Sequence, residues 1–353
     1  MTKFALIGDT HFGARNANQV FAQNAEDFFT NEFFPELKRQ NITQIVHAGD
    51  LFDNRRNLNM VTLTSFRKCF LEPLEKHGIT LHVVPGNHDT YFRNTLEVCS
   101  INEVLGKHPN VKLYMDPTEI KVCGLTIGMV PWINSSNAQS CLDFIKTTHA
   151  NFLLGHFEIR GFEMIPGILC DHGMEPDVFN KFDEVWSGHF HTASKKQNIR
   201  YLGAPLEFNW SDAHDPKFWW IFDIAKMNIE PIQTKSVLHQ KIYYNDLQHS
   251  YENFDFEQVK NKFVKVVVEH KKNMFVFDKF LDSLLEKSLN VKIEENLEDL
   301  QGENADNEKL MIEDTMTFLS SYVDSVNTNL DKKRLNNLMQ TLLREAQAMD
   351  ANL

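Results

Sequence analysis

No uninterrupted apolar run in the 353-residue sequence approaches the ~20 residues that a helix needs to cross a bilayer. The first apolar run, KFALIG, is also too short for a secretory signal peptide, and Asp9 follows it at once. We therefore expect neither secretion nor insertion into a membrane.

Cysteine is scarce, and its pattern argues against two kinds of site. The five cysteines are odd in number, scattered, and never in C-x-x-C spacing. This pattern predicts neither a disulfide framework nor a cysteine zinc site, and it is typical of a protein from a reducing compartment.

Basic residues are outnumbered by acidic ones, and the formal net charge of −12 at first argues against nucleic acid as a partner. However, seven acids and no base lie between Glu294 and Glu308, which leaves only −5 for the rest of the chain. Bound divalent cations would in addition make a local site positive. The global charge therefore does not exclude DNA.

Apolar runs and helical patterns alternate through residues 1–240, which is typical of an α/β (α+β) domain. After Val111 the predicted strands come closer together, which indicates a second sheet with shorter connections. We expect a two-sheet sandwich flanked by helices. The first strands are predicted at residues 3–7, 44–48 and 80–84, and the first helices at 24–39 and 59–77.

The pattern changes at Phe263. Residues 263–294 read as strand, helix and strand, a small βαβ unit that we interpret as part of a capping domain of residues 241–294. Residues 295–309 are acidic and poor in large apolar side chains, as in a solvated linker. Residues 310–353 predict a C-terminal helical hairpin whose apolar faces are too large for a module without its own core.

Five apolar runs end in the same way, with Gly and then a side chain that can bind a metal: FALIGDTH, IVHAGD, VVPGNHD, FLLGH and EVWSGHFH. Gly permits a tight turn, and ligands of open α/β sheets bind where the carboxyl ends of the strands meet. Asp9 and His11 are two residues apart, as are His189 and His191, so each pair can point toward one ion.

Carboxylate, amide and imidazole ligands without a thiolate suit Mn²⁺, Fe²⁺ or catalytic Zn²⁺ rather than structural zinc or calcium. Seven ligands are too many for one ion and suit two ions about 3.5–4 Å apart, which clamp both oxygens of a phosphoryl displacement. Each motif alone is more often a turn or a structural histidine. Together, and in this order, they predict a metal-dependent phosphoesterase.

Three other features are given a structural interpretation. His47 lies inside a predicted strand and is expected in the core. His172, in the segment CDHGMEPD, could reach a substrate, but a structural turn is favoured. The 28 phenylalanines are read as core rather than as a surface for stacking bases.

The motifs D-x-H, GD, GNH[DE], GH and GHxH, which extend from Asp9 to His191, resemble those of the calcineurin-like metallophosphoesterase family. The segments GDLFDNR, GITLHVVPGNHD, EVWSGHFHT and YLGAP are similar to SbcD-type nuclease subunits of the double-strand-break repair nuclease–ATPase complex, including the recombination endonuclease subunits of T-even-type phages. This resemblance implies a DNA exonuclease and endonuclease that acts in recombination, repair and replication. It also implies a cytoplasmic protein, in the host cytoplasm if a phage encodes it.

The resemblance further implies a role for each motif residue. The first ion would be held by Asp9, His11, Asp50 and His191. The second would be held by Asp50 as a bridge and by Asn87, His156 and His189. His88 would face the scissile phosphate and protonate the leaving 3′ oxygen, and Asp53 would orient His88. We expect Mn²⁺, with Mg²⁺, Fe²⁺ or Zn²⁺ as alternatives.

Other functions stay open. Protein phosphatases of this superfamily typically carry GD-x-x-DRG and GNHE, whereas this sequence has GDLFDNRRN and GNHD. A phosphomonoesterase or protein phosphatase, and a non-catalytic scaffold that binds DNA ends, are therefore alternatives to a nuclease. Basic residues expected to contact DNA phosphates, each equally well explained as solvated surface, are Arg15, Arg55, Arg56, Lys195 and Lys196.

The resemblance also implies partners. The hairpin of residues 310–353 would bind an SMC-like ATPase near the base of its coiled coil, and double-stranded ends and single-stranded DNA would be substrates. We further expect a homodimer through helices near residues 59–70 and 95–105, although the sheets of the same chain would cover those apolar faces equally well.

Overall fold

The computed structural model describes residues 2–165 and 167–295, and these form one compact unit. The acidic linker from residue 296 onward and the predicted hairpin of residues 310–353 lie outside the described residues. None of the helices in the described ranges is long and apolar enough to cross a membrane.

The described elements alternate as expected for a mixed α/β fold. In chain order the strands are β1 Lys3–Ile7, β2 Gln44–His47, β3 Thr80–Val83, β4 Val111–Leu113, β5 Thr118–Val122, β6 Leu125–Val130, β7 Phe152–Gly155, β8 Glu163–Ile165, β9 Ile168–Leu169, β10 Glu184–Ser187, β11 Ser194–Lys196, β12 Ile199–Tyr201, β13 Phe218–Asp223, β14 Asn228–Gln233, β15 His239–Asn245, β16 Phe263–His270 and β17 Asn290–Glu295. The helices are α1 (Gln19–Phe28, Phe29–Phe33 and Phe34–Arg39), α2 (Met60–Phe66, Arg67–Leu71 and Glu72–His77), α3 Ser100–Leu105, α4 Ala138–Thr147 and α5 Met274–Lys287. Short 3₁₀ turns cover Pro176–Phe179 and Phe256–Val259, and Ala14–Ala17 contains left-handed residues.

Two six-stranded sheets form the body of the protein, which confirms the predicted architecture. The first has the order β14-β13-β1-β2-β3-β4 and the second the order β11-β12-β10-β7-β6-β5. The central pairs β1/β2, β2/β3, β6/β7 and β7/β10 are all parallel. Their carboxyl ends therefore gather the loops that follow them, as expected for an α/β site.

Alternation along β1 explains why the sheets stack. Phe4 and Leu6 are buried in the core between the two sheets, where Trp186 of the second sheet also packs. Ala5 and Ile7 point to the opposite face and are buried under α1 and α2. Because both faces of the strand are covered, the apolar run is continuous rather than alternating with polar residues.

The first long helix begins earlier than predicted, and both long helices contain a wide turn. α1 starts at Gln19 because the side chain of Asn18 caps it by accepting from Val20 N at 2.9 Å. A π-helical turn interrupts each helix, and Pro35 or Pro73 follows it closely. Proline lacks an N–H donor, so the regular α-helical ladder is already broken at these places.

The C-terminal part of the described chain is a three-stranded parallel sheet, β15-β16-β17, packed on α5. The predicted strand–helix–strand unit corresponds to β16, α5 and β17. β15 was not predicted, because its polar residues mask the apolar alternation of Ile242 and Tyr244. The boundary at residue 241 falls inside this strand, so β15 belongs to the same small sheet as the rest of the cap.

Two histidines buried near the sheet edges are neutral in the folded protein. Burial lowers the pKa of His47 to about 3 and the pKa of His82 to about 4. His82 has partners suited to a neutral ring, Tyr114 Oη at 2.7 Å and Gln44 Oε1 at 2.8 Å. The core position predicted for His47 is confirmed, since its side chain is fully buried.

We therefore expect acid to destabilise this fold through these rings. The unfolded chain takes up protons near pH ~6.5, so stability present above that pH is lost as the pH falls toward the lower folded pKa values. His82→Gln, which cannot titrate, should lose roughly 2 kcal/mol less stability than the wild type between pH 7 and pH 4.5. Urea unfolding at both pH values measures this difference, and equal losses would remove His82 from the account.

Candidate metal centre

Five loops meet at the carboxyl edges of the two sheets, and main-chain hydrogen bonds tie them together. The loop after β1 donates from Asp9 N to Gly49 O at 3.0 Å and from His11 N to Asp50 O at 3.1 Å. Within the second sheet, Gly188 N donates to Gly155 O at 3.2 Å. The motif side chains therefore project from short turns that are hydrogen-bonded to one another.

Four of the predicted ligands occupy strained backbone. The φ angles are 52° at Asp9, 44° at His11, 54° at Asp50 and 89° at His189. Residues other than glycine rarely adopt this left-handed region, and such strain clusters at functional sites. The surrounding hydrogen bonds thus hold these residues in conformations that aim their side chains at one place.

Two glycines make the close approach of the loops possible. A Cβ on Gly86 would lie 2.2 Å from Asp50 Oδ1, and one on Gly49 would lie 2.8 Å from Gly86 N and from His156 Nδ1. Gly49 also has a φ of +95°. Any larger residue at either position would push the Asp50 loop away from the GNHD loop.

The structure brings all seven predicted ligands into one cluster, in two overlapping groups. The first group contains Asp9, His11 and His191, whose ligand atoms lie within 4.8 Å of one another. Nε2 of His11 and Nε2 of His191 approach to 3.0 Å. Asp9 Oδ2 is buried and has no hydrogen-bond partner among the described residues. A buried, unpaired carboxylate oxygen beside two converging imidazoles fits a bound cation.

The second group surrounds Asn87. Asn87 Oδ1 lies 2.9 Å from His156 Nε2 and 3.0 Å from His189 Nδ1. Asp50 Oδ2 is 3.3 Å from His156 Nε2 and 3.8 Å from His11 Nε2, so it lies between the two groups. Carboxylate, amide and imidazole donors fit a divalent cation at this place as well.

Hydrogen bonds behind the ligands set which ring nitrogen faces the site. Nδ1 of His156 donates to Ala48 O at 2.8 Å, which leaves Nε2 free to bind a metal. His47 accepts from Gly49 N at 3.1 Å through Nδ1 and lies 3.1 Å from Thr10 Oγ1 through Nε2. Thr10 Oγ1 in turn donates to Leu51 O at 3.2 Å. This chain links the first two metal loops.

Burial and mutual charge shift the pKa values of the predicted ligands strongly. Burial raises the pKa of Asp9 to about 6. Burial would raise the pKa of Asp50 too, but His156, His88 and His11 together hold it well below its usual range. Burial would lower the pKa of His11, yet Asp53 and Asp50 raise it to about 9. The pKa of His191 falls to about 3 because of burial and the nearby His11.

His88 lies beside the ligand cluster. Its backbone N donates to Asp50 Oδ1 at 2.7 Å, and its Nδ1 lies 2.5 Å from the main-chain carbonyl oxygen of Asp53. The ring stands edge to face with His11 at a centroid distance of 4.9 Å. With Nδ1 donating to a carbonyl, Nε2 is the nitrogen that can exchange a proton with a bound substrate.

The structure gives Asp53 two different contacts. The backbone carbonyl of Asp53 orients His88, whereas its carboxylate Oδ1 lies 3.3 Å from His11 Nδ1. Asp53 thus contacts His88 through its main-chain carbonyl and not through its side chain. The carboxylate instead faces the far side of a ligand ring.

We expect Asp53→Asn to weaken metal binding. His88 should stay in place, because the backbone carbonyl that holds it is retained. Loss of a carboxylate behind a ligand histidine typically costs about 10-fold or more in metal affinity or activity. Calorimetric titration with Mn²⁺ and a cleavage assay on the same sample measure both quantities. Wild-type affinity together with wild-type turnover would remove the carboxylate from the mechanism.

Two residues near the ligands were not predicted. Asp89 is fully buried and accepts from three main-chain N–H groups, at Gly86 (2.9 Å), Phe52 (3.1 Å) and Leu51 (3.3 Å). It therefore fastens the GNHD loop to the loop that carries Asp50. Burial, followed by the charge of Asp50, raises the pKa of Asp89 to about 7. The signal that could have identified Asp89 is its position in the GNHD motif.

The second unpredicted residue is Glu158. Its Oε1 lies 3.8 Å from His189 Nε2 and 3.1 Å from His172 Nε2. His172 lies in a bend, in agreement with the predicted turn, and it also contacts Glu158 at the edge of the site. Carboxylates behind ligand histidines orient the ring, and Glu158 has this position relative to His189.

The basic residues expected to contact DNA differ in their surroundings. Arg15 Nε donates to Phe208 O at 2.7 Å, Lys195 Nζ is 3.5 Å from Glu184, and Lys196 donates to Gly161 O. These three side chains have partners within the protein. In the described ranges, the side chains of two others form no ion pair: Arg55 and Arg56.

Comparison with known proteins gives consistent matches. The family model described as calcineurin-like phosphoesterase matches residues 2–268. The chain is 32% identical over 335 residues to exonuclease subunit 1 of Enterobacteria phage T4, covering 94% of this chain and 95% of that protein. It is 28% identical over 203 residues to the DNA double-strand break repair protein Mre11 of Sulfurisphaera tokodaii, covering 54% and 49%. It is 24% identical over 263 residues to a subunit of the SbcCD nuclease of Staphylococcus saprophyticus, covering 64% and 67%.

Proposed function

The chain belongs to the calcineurin-like phosphoesterase family, and on that premise we propose that it is a metal-dependent DNA nuclease acting in recombination and double-strand-break processing. One observation carries the proposal: the seven predicted ligand side chains converge, with His88 beside them. His88 lies near enough to His11 and Asp53 to hold a metal as well, and we propose that it acts as the general acid instead. The phage T4 relative, which matches 94% of this chain and 95% of its own length, is named as an exonuclease subunit.

We propose that the centre holds two ions, with Mn²⁺ as the first candidate. The first would bind Asp9, His11, Asp50 and His191, and the second Asp50, Asn87, His156 and His189. The position of Asp50 Oδ2 between His156 and His11 supports its role as the bridge. When bound, the two ions supply a nucleophile at neutral pH and offset the charge of the phosphate.

The protein side chains carry the rest of the chemistry. His88 is held by the Asp53 carbonyl at Nδ1, so Nε2 is the nitrogen that would deliver a proton to the leaving 3′ oxygen. This step requires the doubly protonated ring, a form that burial disfavours by lowering the pKa of His88. Asp50 Oδ1 holds the backbone of His88, which couples the position of this acid to the bridging ligand. Asp89 fixes the loop that carries both Asn87 and His88.

The cap of β15–β17 and α5 is proposed to position DNA over the metals. It is joined to the loop beside His191, because Glu207 Oε2 accepts from Leu238 N and His239 N at 2.7 Å each. Trp210 lies on the same loop, and Nζ of Lys265 in the cap lies 5.1 Å from the centre of its ring. The proposed division into a nuclease body of residues 1–240 and a cap of residues 241–294 would then shift by two residues, because β15 of the cap begins at His239.

Cleavage of a panel of substrates tests the proposed function. With Mn²⁺, the protein should degrade end-labelled duplex and single-stranded DNA and leave p-nitrophenyl phosphate and a phosphopeptide nearly untouched. Faster hydrolysis of either monoester would favour a phosphatase. No cleavage of any substrate by the protein alone or with an ATPase partner would favour a scaffold that only binds DNA ends.

We propose an SMC-like ATPase as the partner, bound by the helical module of residues 310–353 beyond the linker of residues 295–309. The apolar stripes predicted for that module suit docking on a coiled coil. A chain that ends at residue 296 should keep its metal-dependent nuclease activity and lose stable association with the ATPase. Co-purification of the shortened chain at full strength would contradict this role.

A homodimer is also proposed. On the outer side of α2 and α3, Met60 is 75% exposed, Val61 59% and Val104 38%. A second copy of the chain would cover this apolar surface. Sedimentation at micromolar concentration should show a species of twice the chain mass, and a single-chain species alone would argue against the dimer. Localisation in the cytoplasm is proposed with the same function.

A further inference from the structure

The loop that follows the GNHD motif carries two exposed aromatic rings. Tyr91 and Phe92 are each 43% exposed, and their rings stand edge to face at 4.8 Å. Most phenylalanines of the described chain are buried, in agreement with their predicted role in the core. This pair departs from that pattern, three and four residues after the proposed general acid, His88.

The ends of the loop are fixed, so the rings have a defined position. Thr90 is buried, and its Oγ1 donates to Asn87 O at 3.3 Å. Tyr91 N donates to Val98 O at 3.0 Å, and Ser136 N donates to Asn94 O at 3.2 Å. An aromatic pair held in this way loses little conformational entropy when a planar ligand stacks on it.

Positive charge accompanies the rings. Arg93 is the next residue and is exposed. Arg55 is half-buried and Arg56 is exposed. Burial lowers the pKa of Arg55, Asp50 opposes this shift, and the positive charges of Arg93 and Arg56 add to it, so both arginines act on Arg55. Arg55 lies two residues after Asp53, whose carbonyl holds His88. The segment with Arg55 and Arg56 and the loop with Tyr91, Phe92 and Arg93 therefore both lie close in sequence to the proposed acid or to the residue that holds it.

We infer that Tyr91, Phe92 and Arg93, together with Arg55 and Arg56, form a subsite for unpaired nucleotides next to the scissile phosphate. Exposed aromatic rings stack on bases of any sequence, and arginines bind the phosphates between them. Bases in an intact duplex are already stacked and offer no free face. The subsite therefore favours single strands and frayed ends, an inference that rests on the proposed nuclease function.

Binding measurements distinguish this subsite from a general DNA surface. Fluorescence anisotropy in chelator would compare a labelled 12-nucleotide single strand with a blunt duplex. Replacing both rings (Tyr91→Ala with Phe92→Ala) should weaken single-strand binding by about 10-fold or more and leave duplex binding nearly unchanged. Phe92→Tyr keeps a ring and should bind like the wild type. Met227→Ala, which removes a 54% exposed apolar side chain from the turn between β13 and β14, outside the cap and the proposed metal centre, is the control.

Three results would overturn the inference. They are unchanged single-strand binding in the double variant, an equal loss for single strand and duplex, and conversion of a dimer to single chains, which would assign the rings to an interface between copies. Cleavage of blunt duplex by the wild type is assayed in parallel. If the wild type cuts DNA while the double variant binds single strands normally, only the subsite fails, whereas absence of any cleavage refutes the proposed function itself.

Discussion

His88→Ala is expected to abolish DNA cleavage while both ions stay bound. Removal of a general acid typically costs about 100-fold or more in rate. None of the contacts between the proposed ligands involves the His88 ring, whose Nδ1 instead meets the Asp53 carbonyl. The backbone N–H that reaches Asp50 is retained in the variant. Metal analysis and a cleavage assay on one preparation measure the two properties.

The comparison of metal content with rate decides the role of His88. Asn87→Ala is the matched control, because it removes the neighbouring side chain that lies between His156 and His189. That variant should lose one ion, whereas His88→Ala should retain both. Loss of metal from His88→Ala would show that the ring is a ligand or holds the ligands in place.

Asp50→Ala is expected to lose both ions and all cleavage. Asp50 Oδ2 lies near His156 and His11, one from each ligand group, and Oδ1 holds the backbone of His88. Removing Asp50 would also change the pKa values of the buried imidazoles around it. Burial alone would lower the pKa of His156, but Asp50 helps to raise it to about 9. Mn²⁺ titration followed by calorimetry should detect no tight site.

The fold of this variant needs its own check, since Asp50 is almost fully buried. Asp50→Asn keeps the shape and the oxygen that meets His88, and circular dichroism would establish that it is folded. A folded Asp50→Asn protein that binds two ions as tightly as the wild type would refute the bridging role.

The candidate ligands could be predicted from sequence because they follow the ends of apolar strands, whereas their division between two ions was implied only by the resemblance. Asp9 and His11, and likewise His189 and His191, are two residues apart after apolar strands, and the structure brings both pairs to the same sheet edges. The central strands β1, β2 and β3 were predicted within a residue of their bounds. Their continuous burial in a parallel sheet leaves an unambiguous apolar run.

The supporting contacts were not accessible in the same way. The Asp53 carbonyl and the Asp89 carboxylate act through main-chain geometry, which depends on the left-handed turn at Asp50. Glu158 reaches His189 from the residues after β7, where no strand pattern is present. Residue types and spacing report which side chains share a face, but they do not report the path of an irregular loop.

The central claim is that two ions bound by this cluster support cleavage of DNA. The most direct test adds Mn²⁺ stepwise to metal-free protein and records, in each sample, the bound metal per chain and the cleavage of end-labelled DNA. Our account predicts little cleavage after the first equivalent and a rise to full activity as the second one binds. Full activity with one bound ion, or two bound ions without any cleavage, would contradict it.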